Sequence, residues 1–270
     1  MNTVSIMGYD IYAENVSTIK LEESKQIINT VNPHSYIVAK NDKLFSIALH
    51  SSDIILPDGS GFVIAGKFIN NTKIKKIAGA DIHSHLLKIL NQSGGSCFYM
   101  GSSNNTLNKI KEKIKYGFPN IKISIYSPPY KDKFSEEENN NIIDAINKVK
   151  PDVLFVGMTA PKQEKWLHEN QKELDFKIAT SIGAVFDFYA GTIKRPSNFW
   201  IDLHLEWLPR FLNEPKRLWK RNLVSTPLFL IDMLIFKLKK KRKRGLTPNI
   251  SLFIFFTFFY FFNCFKTLLY

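Results

Sequence analysis

Short apolar runs alternate with longer segments of helical period over the first 195 residues of the chain. Runs of this kind, bounded by glycine and polar residues, predict buried strands, and the segments between them predict helices. The predicted strands are Val4–Met7, Ile54–Leu56, Cys97–Met100, Ile121–Tyr126, Val153–Val156 and Lys177–Ile182. The predicted helices are Thr18–Ile28, Tyr36–Leu49, Ala80–Leu90, Asn105–Tyr116, Glu136–Val149 and Lys162–Glu169.

This alternation predicts an α/β fold, with a Rossmann-like, mostly parallel sheet and helices on both faces. Ligands of such sheets bind beyond the carboxyl ends of the strands. Four predicted strands run into turns that carry Gly59 and Gly61, Gly101, Gly157, and Gly183. Glycine lets the backbone approach a ligand closely, and a helix that begins there favours phosphate. From these residues alone, a phosphate-bearing ligand and ordinary strand ends explain the turns equally well.

The pattern changes after residue 195. Aromatic and leucine residues recur there at roughly helical spacing among basic residues, namely Trp200, Leu203, Trp207, Phe211 and Trp219. The wholly basic run Lys239–Arg244 follows, and Ile250–Phe265 is almost wholly apolar. We therefore predict an α/β domain over 1–195, a basic helical appendage over 196–245 and an apolar C-terminal tail over 246–270.

The charge of the chain is concentrated in its last part. Residues 201–270 contain 13 Lys and Arg against 4 Asp and Glu, out of a net charge of +13. Such a segment suggests a polyanionic partner, either nucleic acid or an anionic membrane. A basic run beside a Phe-rich stretch is typical of a membrane contact with its basic side in the cytoplasm. The stretch is shorter than the roughly 20 residues of a spanning helix, so a buried helix and a disordered terminus stay open as alternatives.

Composition and the absence of certain motifs argue against several other classes of protein. Hydrophobic residues make up 44% and charged residues 23% of the chain, which is ordinary for a globular protein. The two cysteines form no CxxC pair, which favours a reducing compartment. The N-terminus lacks the basic and apolar regions of a signal peptide. No Asp-x-Asp and no HExxH sequence occurs, so we expect no metal and no cofactor.

Three stretches of the chain stand out, and two runs within them are long and specific, APKQEKW and the run from Glu206 to Leu218. The three stretches are Pro57–Gly61 with Ala78–Asp81; Pro151–Trp166, which contains APKQEKW; and Gly183–Asp187 followed by Gly191, Lys194-Arg195, Glu206–Arg210 and Glu214–Leu218. In this order they resemble the WecG/TagA/CpsF glycosyltransferases (glycosyltransferase family 26), and Thr30-Val31-Asn32 resembles the T-x-N element of that family. The resemblance covers about residues 5 to 223.

The resemblance implies an inverting, metal-independent glycosyltransferase. Its members move an N-acetylmannosamine-type sugar from a UDP donor to an undecaprenyl-diphosphate-linked acceptor, in surface polysaccharide or teichoic acid synthesis. It also implies a C-terminal appendage that binds the membrane and completes the site. We therefore expect a location at the cytoplasmic face of the cell membrane, either peripheral or tail-anchored.

Asp58 is the candidate general base, because an inverting transfer needs a carboxylate to take the acceptor proton. From the residues alone a helix N-cap is the favoured role for this aspartate, and the resemblance reverses that preference. The candidate substrate-binding residues are Thr30, Asn32, Gly59, Gly61, Gly101, Gln163, Gly183 and Asp187. For Thr30 and Asn32 the alternative is a polar turn, for Gln163 a solvated first turn, and for Asp187 a turn cap.

Four basic residues are candidates for binding the lipid diphosphate, namely Arg210, Arg217, Lys220 and Arg221. On one continuous helix, the three arginines would share roughly one face. Guanidinium groups bind diphosphate oxygens bidentately and can stabilise a departing UDP. The alternative is a solvated basic face.

Two other functions compete with the transferase. The basic C-terminal third with interleaved Trp also fits a nucleic-acid-binding protein on an α/β fold, although no nucleic-acid motif is present and we expect no such partner. An NAD-dependent oxidoreductase is disfavoured, because no G-x-G-x-x-G follows the first strand. The apolar helices of such a sheet also leave room for a homo-oligomer.

Overall fold

The computed structural model describes residues 2–193, 200 and 207–243. In this part of the chain, eight strands form one sheet in the order β1-β2-β4-β3-β8-β7-β5-β6. The strands are β1 Thr3–Ile6, β2 Tyr9–Tyr12, β3 Gln26–Val31, β4 Ile54–Pro57, β5 Ser96–Gly101, β6 Lys122–Tyr126, β7 Val153–Gly157 and β8 Ile178–Ser181. The first two strands are antiparallel and all other neighbours are parallel. The predicted α/β fold with a mostly parallel sheet is therefore confirmed.

Helices cover both faces of this sheet. Those of the body are α1 Pro33–Asn41, α2 Lys43–His50, α3 Ser60–Ala65, α4 Gly79–Ser93, α5 Asn104–Gly117, α6 Glu136–Val149, α7 Lys162–Asn170 and α8 Gly183–Ala190. Side chains alternate between the faces of a strand. Tyr99 accordingly packs in the core under α4, α5 and α8, whereas Phe98 packs under α6 and α7.

One predicted helix, Thr18–Ile28, is wrong. A single 3-10 turn occupies Val16–Thr18, and Gln26–Val31 is the strand β3 in the middle of the sheet. The polar stretch before this strand favours a helix by composition. The β-branched residues that follow it are almost all buried, which is the pattern of a strand covered on both faces.

The predicted helix Tyr36–Leu49 is two helices, α1 and α2. Asp42 separates them, because its side chain accepts a hydrogen bond from the Phe45 amide and caps α2. Four further predicted helices are confirmed with small shifts of their ends, and they correspond to α4, α5, α6 and α7.

The basic segment forms helices, and the last two of them pack against the body. They are α9 Trp207–Asn213, α10 Pro215–Trp219, the π-helical Lys220–Ser225 and α11 Thr226–Lys243. Phe229 of α11 is fully buried against Tyr36 and Phe62, at centroid distances of 5.5 and 5.3 Å. Asp232 accepts a 2.5 Å hydrogen bond from Lys40. The predicted apolar tail over 246–270 lies outside the described residues.

Candidate active site

The turns after the parallel strands all open on one edge of the sheet, because the carboxyl ends of parallel strands lie at the same edge. Val31 at the end of β3 lies beside Pro57 of β4, and Val156 of β7 lies beside Ser181 of β8. Most of the residues predicted for the site therefore gather at this edge. They are Thr30, Asn32, Asp58, Gly59, Gly61, Gly101, Gln163 and Gly183.

Asp58 lies on the turn between β4 and α3 and is half-buried. Its backbone amide donates to the carbonyl of Val31, at 2.9 Å, which fixes the turn against the end of β3. Gly59, with φ of 80°, and not Asp58, holds the N-cap position of α3. Nothing lies within 4 Å of the position where Gly59 would carry a Cβ, so this turn has open space beside it.

Three of the predicted glycines pack against protein atoms. A Cβ on Gly61 would lie 2.3 Å from Cγ of Pro33, one on Gly101 2.2 Å from the Gly157 carbonyl oxygen, and one on Gly183 2.1 Å from the Met158 carbonyl oxygen. The expectation that these glycines make room for a ligand needs correction, since their missing side chains make room for neighbouring turns.

Thr30 and Asn32 flank the end of β3. Thr30 is half-buried in the strand, beside Leu56. The side-chain oxygen of Asn32 accepts from the amides of His34 and Ser35, at 3.0 Å each, and caps α1. The amide NH2 group of Asn32 has no partner among the described residues, so it can still donate to a ligand at this edge.

Gln163 is buried under the site rather than solvated. Its side-chain oxygen accepts from the amides of Met158 and Gly183, at 3.2 and 3.1 Å. Its NH2 group donates to Oε1 of Glu164, at 2.8 Å. Gln163 thus ties together the turns that follow β7 and β8.

Glu164 is a residue that the sequence reasoning missed. It is fully buried, and burial raises its pKa to about 7, although the hydrogen bond from Gln163 partly opposes that shift. Helical spacing could have revealed it, because Glu164 precedes the buried Leu167 by three positions and so lies on the same face of α7.

Asp187 and Lys165 interact with other parts of the protein. Oδ1 of Asp187 accepts from the Thr192 hydroxyl, at 3.3 Å, so this residue stabilises the end of α8. Lys165 forms an ion pair with Asp42, at 2.9 Å.

The appendage reaches the site through the first turn of α1. Nδ1 of His34 lies 2.8 Å from the Ser225 hydroxyl. Burial, and then the positive charge of Arg221, lower the pKa of His34. Arg221 and Ser225 belong to the same π-helical segment, so this bond attaches that segment to α1 two residues from Asn32. This link is the second feature that the sequence reasoning missed.

The predicted arginine face is not built on one helix. Arg210 lies in α9, whereas Arg217 lies in α10 and Arg221 in the π-helical segment. Proline disfavours the helical conformation of the residue before it. Glu214, which precedes Pro215, accordingly has φ of −136° and ψ of 60° and interrupts the helix between α9 and α10. The side chains of Arg210 and Arg217 lie outside the described part of the structure, and Lys220 is exposed.

Within 2–193, 200 and 207–243, no three His, Cys, Asp or Glu residues come together in a way that could hold a metal ion. None of the helices in the same residues combines the length and hydrophobicity that crossing a membrane requires.

The sequence profile described as the Glycosyl transferase WecG/TagA/CpsF family matches residues 3–243. Three relatives bear the name N-acetylglucosaminyldiphosphoundecaprenol N-acetyl-beta-D-mannosaminyltransferase. That of Bacillus subtilis (strain 168) is 33% identical over 215 residues, 80% of this chain and 81% of the relative. That of Bacillus spizizenii is 31% identical over 224 residues, 83% and 84% of the two chains. That of Staphylococcus aureus (strain MRSA252) is 26% identical over 251 residues, 90% and 95%. The profile match spans the sheet, the candidate site and the appendage helices.

Proposed function

The chain belongs to the WecG/TagA/CpsF family of glycosyltransferases, and we propose that it transfers N-acetylmannosamine from a UDP donor to undecaprenyl-diphosphate-linked N-acetylglucosamine. The names of the relatives state mannosaminyl transfer to N-acetylglucosaminyldiphosphoundecaprenol. The disaccharide product would serve the synthesis of teichoic acid or another surface polysaccharide.

Asp58 is the proposed general base. Its carboxylate takes the proton of the acceptor hydroxyl while the oxygen attacks C1 of the donor sugar. The bond between C1 and the diphosphate oxygen breaks, and UDP leaves with the electron pair, so the configuration at C1 inverts. The position of Asp58 supports this role. Its turn lies at the carboxyl edge of the sheet, is hydrogen-bonded to the end of β3, and has open space beside Gly59.

The donor is proposed to bind between the turns of this edge. Thr30 and the NH2 group of Asn32 are available at the end of β3, and Gly59 offers an approachable backbone. Gln163 and Gly183 shape the opposite side of the cleft, since their polar atoms already bind one another. Asp187 remains a predicted ribose ligand.

Cations of the appendage are proposed to bind the diphosphate groups of donor and acceptor. The observation that carries the whole proposal is the contact between the appendage and α3, the helix that follows Asp58. Phe229 packs on Phe62 at a centroid distance of 5.3 Å, and a Cβ on Gly61 would lie 3.4 Å from Phe229. Through this contact and the His34–Ser225 bond, Arg221 is brought toward the same edge as Asp58. Positive charge there can stabilise a departing UDP without a metal ion.

The appendage is also proposed to contact the membrane. Five large apolar side chains on α10, the π-helical segment and α11 are 41–50% exposed, namely Trp219, Leu223, Leu228, Ile231 and Ile235. On α11 they lie away from Phe229, which faces the body. The basic residues Lys239–Arg242 follow, as expected for a surface that meets anionic lipid.

Several assignments stay predictions. These are the division into a Rossmann-like domain over 1–195, an appendage over 196–245 and an anchoring tail over 246–270, the cytoplasmic membrane face as location, and a homo-oligomeric state. Stretches at 194–199, 201–206 and 244–270, which include Lys194, Arg195 and Glu206, lie outside the described residues.

The proposed function is tested by incubating the full chain with a panel of UDP-sugars and a synthetic prenyl-diphosphate-linked N-acetylglucosamine. We expect mass spectrometry to find one added N-acetylhexosamine with UDP-N-acetylmannosamine and little product with the other donors. Absence of product with every donor, together with salt-sensitive binding to DNA but not to anionic vesicles, would support a nucleic-acid-binding protein instead.

A further inference from the structure

One side chain bridges the turns that follow β7 and β8. The Gln163 side-chain oxygen accepts from the Met158 amide in the turn after β7 and from the Gly183 amide that begins α8. The turns also meet directly, because the Met158 carbonyl fills the place of a Gly183 side chain. The relative position of the two turns therefore depends on how the Gln163 amide is oriented.

That orientation is decided by Glu164. The two backbone donors require an oxygen from Gln163, so its NH2 group must point the other way, where it meets Oε1 of Glu164 at 2.8 Å. An apolar residue at 164 would leave this NH2 group buried without an acceptor. The amide would then gain by rotating away, and the two backbone donors would lose their oxygen.

The surroundings of Glu164 suit an uncharged carboxyl group. Its Oε2 atom has no hydrogen-bond partner among the described residues, and no described cation pairs with it. The buried side-chain oxygens of Asn29 and Ser181 also have no hydrogen-bond partner among the described residues. Both residues lie on the face of the sheet that α7 covers, because Ile27 and Ala179, two positions earlier in their strands, pack there. A buried acid that no cation compensates is not a stabilising feature by itself, so its presence calls for another role.

We propose that Glu164 is a positioning residue of the transferase, which orients the Gln163 amide so that Gln163 holds the turns after β7 and β8 in the arrangement that receives the donor diphosphate. This inference rests on the proposed function, because it assigns the donor to that edge. Glu164 itself touches no substrate in this account.

The test compares three variants of the full chain in the transfer assay. Glu164→Gln keeps an acceptor oxygen for Gln163 and should retain a wild-type KM for the UDP-sugar. Glu164→Met removes the acceptor, and the KM for the UDP-sugar should rise about tenfold or more. Its thermal midpoint should fall only modestly, because loss of an uncompensated buried acid offsets part of the cost of the unpaired Gln163 amide.

Asn170→Ala is the matched control, at the other end of α7. Asn170 donates to the Trp166 carbonyl and accepts from Asn139, at 2.7 Å each. This variant should lose stability and keep its KM. If Glu164→Met does not fold, Glu164→Asp takes its place, because the shorter acid withdraws its oxygens from Gln163 and should raise the KM in the same direction.

Two kinetic results would overturn the inference. One is a folded Glu164→Met, or Glu164→Asp, with a wild-type KM, and the other is a Glu164→Gln as impaired as Glu164→Met. Hydrogen exchange at the amides of Met158 and Gly183 gives a readout that needs no transfer. It should be faster in Glu164→Met than in wild type, and equal rates would also refute the inference. A wild-type chain that transfers no sugar while showing this difference would instead count against the proposed function alone.

Discussion

Replacing Glu164 by Gln should change how the stability of the protein depends on pH. The carboxyl group is fully buried, and burial raises its pKa from the ordinary value of 4.5 to about 7. A glutamine at this position has nearly the same shape and can accept the same hydrogen bond from Gln163, but it does not titrate. The comparison therefore isolates one proton.

The sign follows from which state holds that proton. Below the ordinary pKa of 4.5, folded and unfolded chains both carry it. As the pH rises towards 7, the unfolded chain releases the proton while the fold retains it, so the free energy of unfolding falls. The slope is about 1.4 kcal/mol per pH unit, and the full loss is on the order of 3 kcal/mol. Above about pH 7 the loss levels off, because both states are then ionised.

Urea unfolding followed by far-ultraviolet circular dichroism, at a series of pH values, measures this effect. Groups other than Glu164 titrate equally in both proteins, so the difference between wild type and Glu164→Gln reports on this carboxyl group. We expect the wild type to lose stability relative to the variant as the pH rises from 4.5 to 7.5. Parallel curves would refute the reasoning, since they would mean that the carboxyl group is already ionised in the fold or has an ordinary pKa.

Three further predictions concern the site and its neighbours. Asp58→Asn should fold and lose transfer activity by about two orders of magnitude or more. Asp10→Asn, on the exposed surface, should keep its transfer activity. Near-wild-type turnover of Asp58→Asn would reject Asp58 as the base. Gly61→Ala should destabilise the protein by about 1–3 kcal/mol in urea unfolding through overpacking. Gly117→Ala should not, because nothing lies within 4 Å of the position that its Cβ would take. Equal stabilities of the two variants would contradict the tight contact at Gly61. Deleting 196–270 should leave a soluble body with little activity on a lipid-linked acceptor, and full activity would reject the role of the appendage.

Much of the fold could be predicted from local pattern. The buried strands β5 and β7 are short apolar runs ended by glycine, and helices such as α6 carry their period and caps in the sequence. β3 could not be predicted in this way, because its polar lead-in resembles a helix and only its position in the middle of the sheet makes it a strand. The break at Asp42 was also missed, since the apolar period continues across it.

Most residues predicted for the site lie at the carboxyl edge of the sheet, but the structure gives several of them a different physical role. Gly61, Gly101 and Gly183 are expected from the sequence to face a ligand. Gly61 instead makes room for the Pro33 side chain, and Gly101 and Gly183 make room for neighbouring backbone. Such contacts join residues far apart in the chain, so local pattern does not show them. The same holds for the link between His34 and Ser225, which are 191 positions apart.

A crystal structure of the full chain with UDP would locate the donor site. We expect the diphosphate at the carboxyl edge of the sheet, between the Asp58 turn and the turns joined by Gln163, with Arg221 on the same side. Another cavity is lined by Tyr12, Lys20 and Gln26 among others. Nucleotide bound in that cavity, with the carboxyl edge unchanged, would show that Asp58 is not the general base.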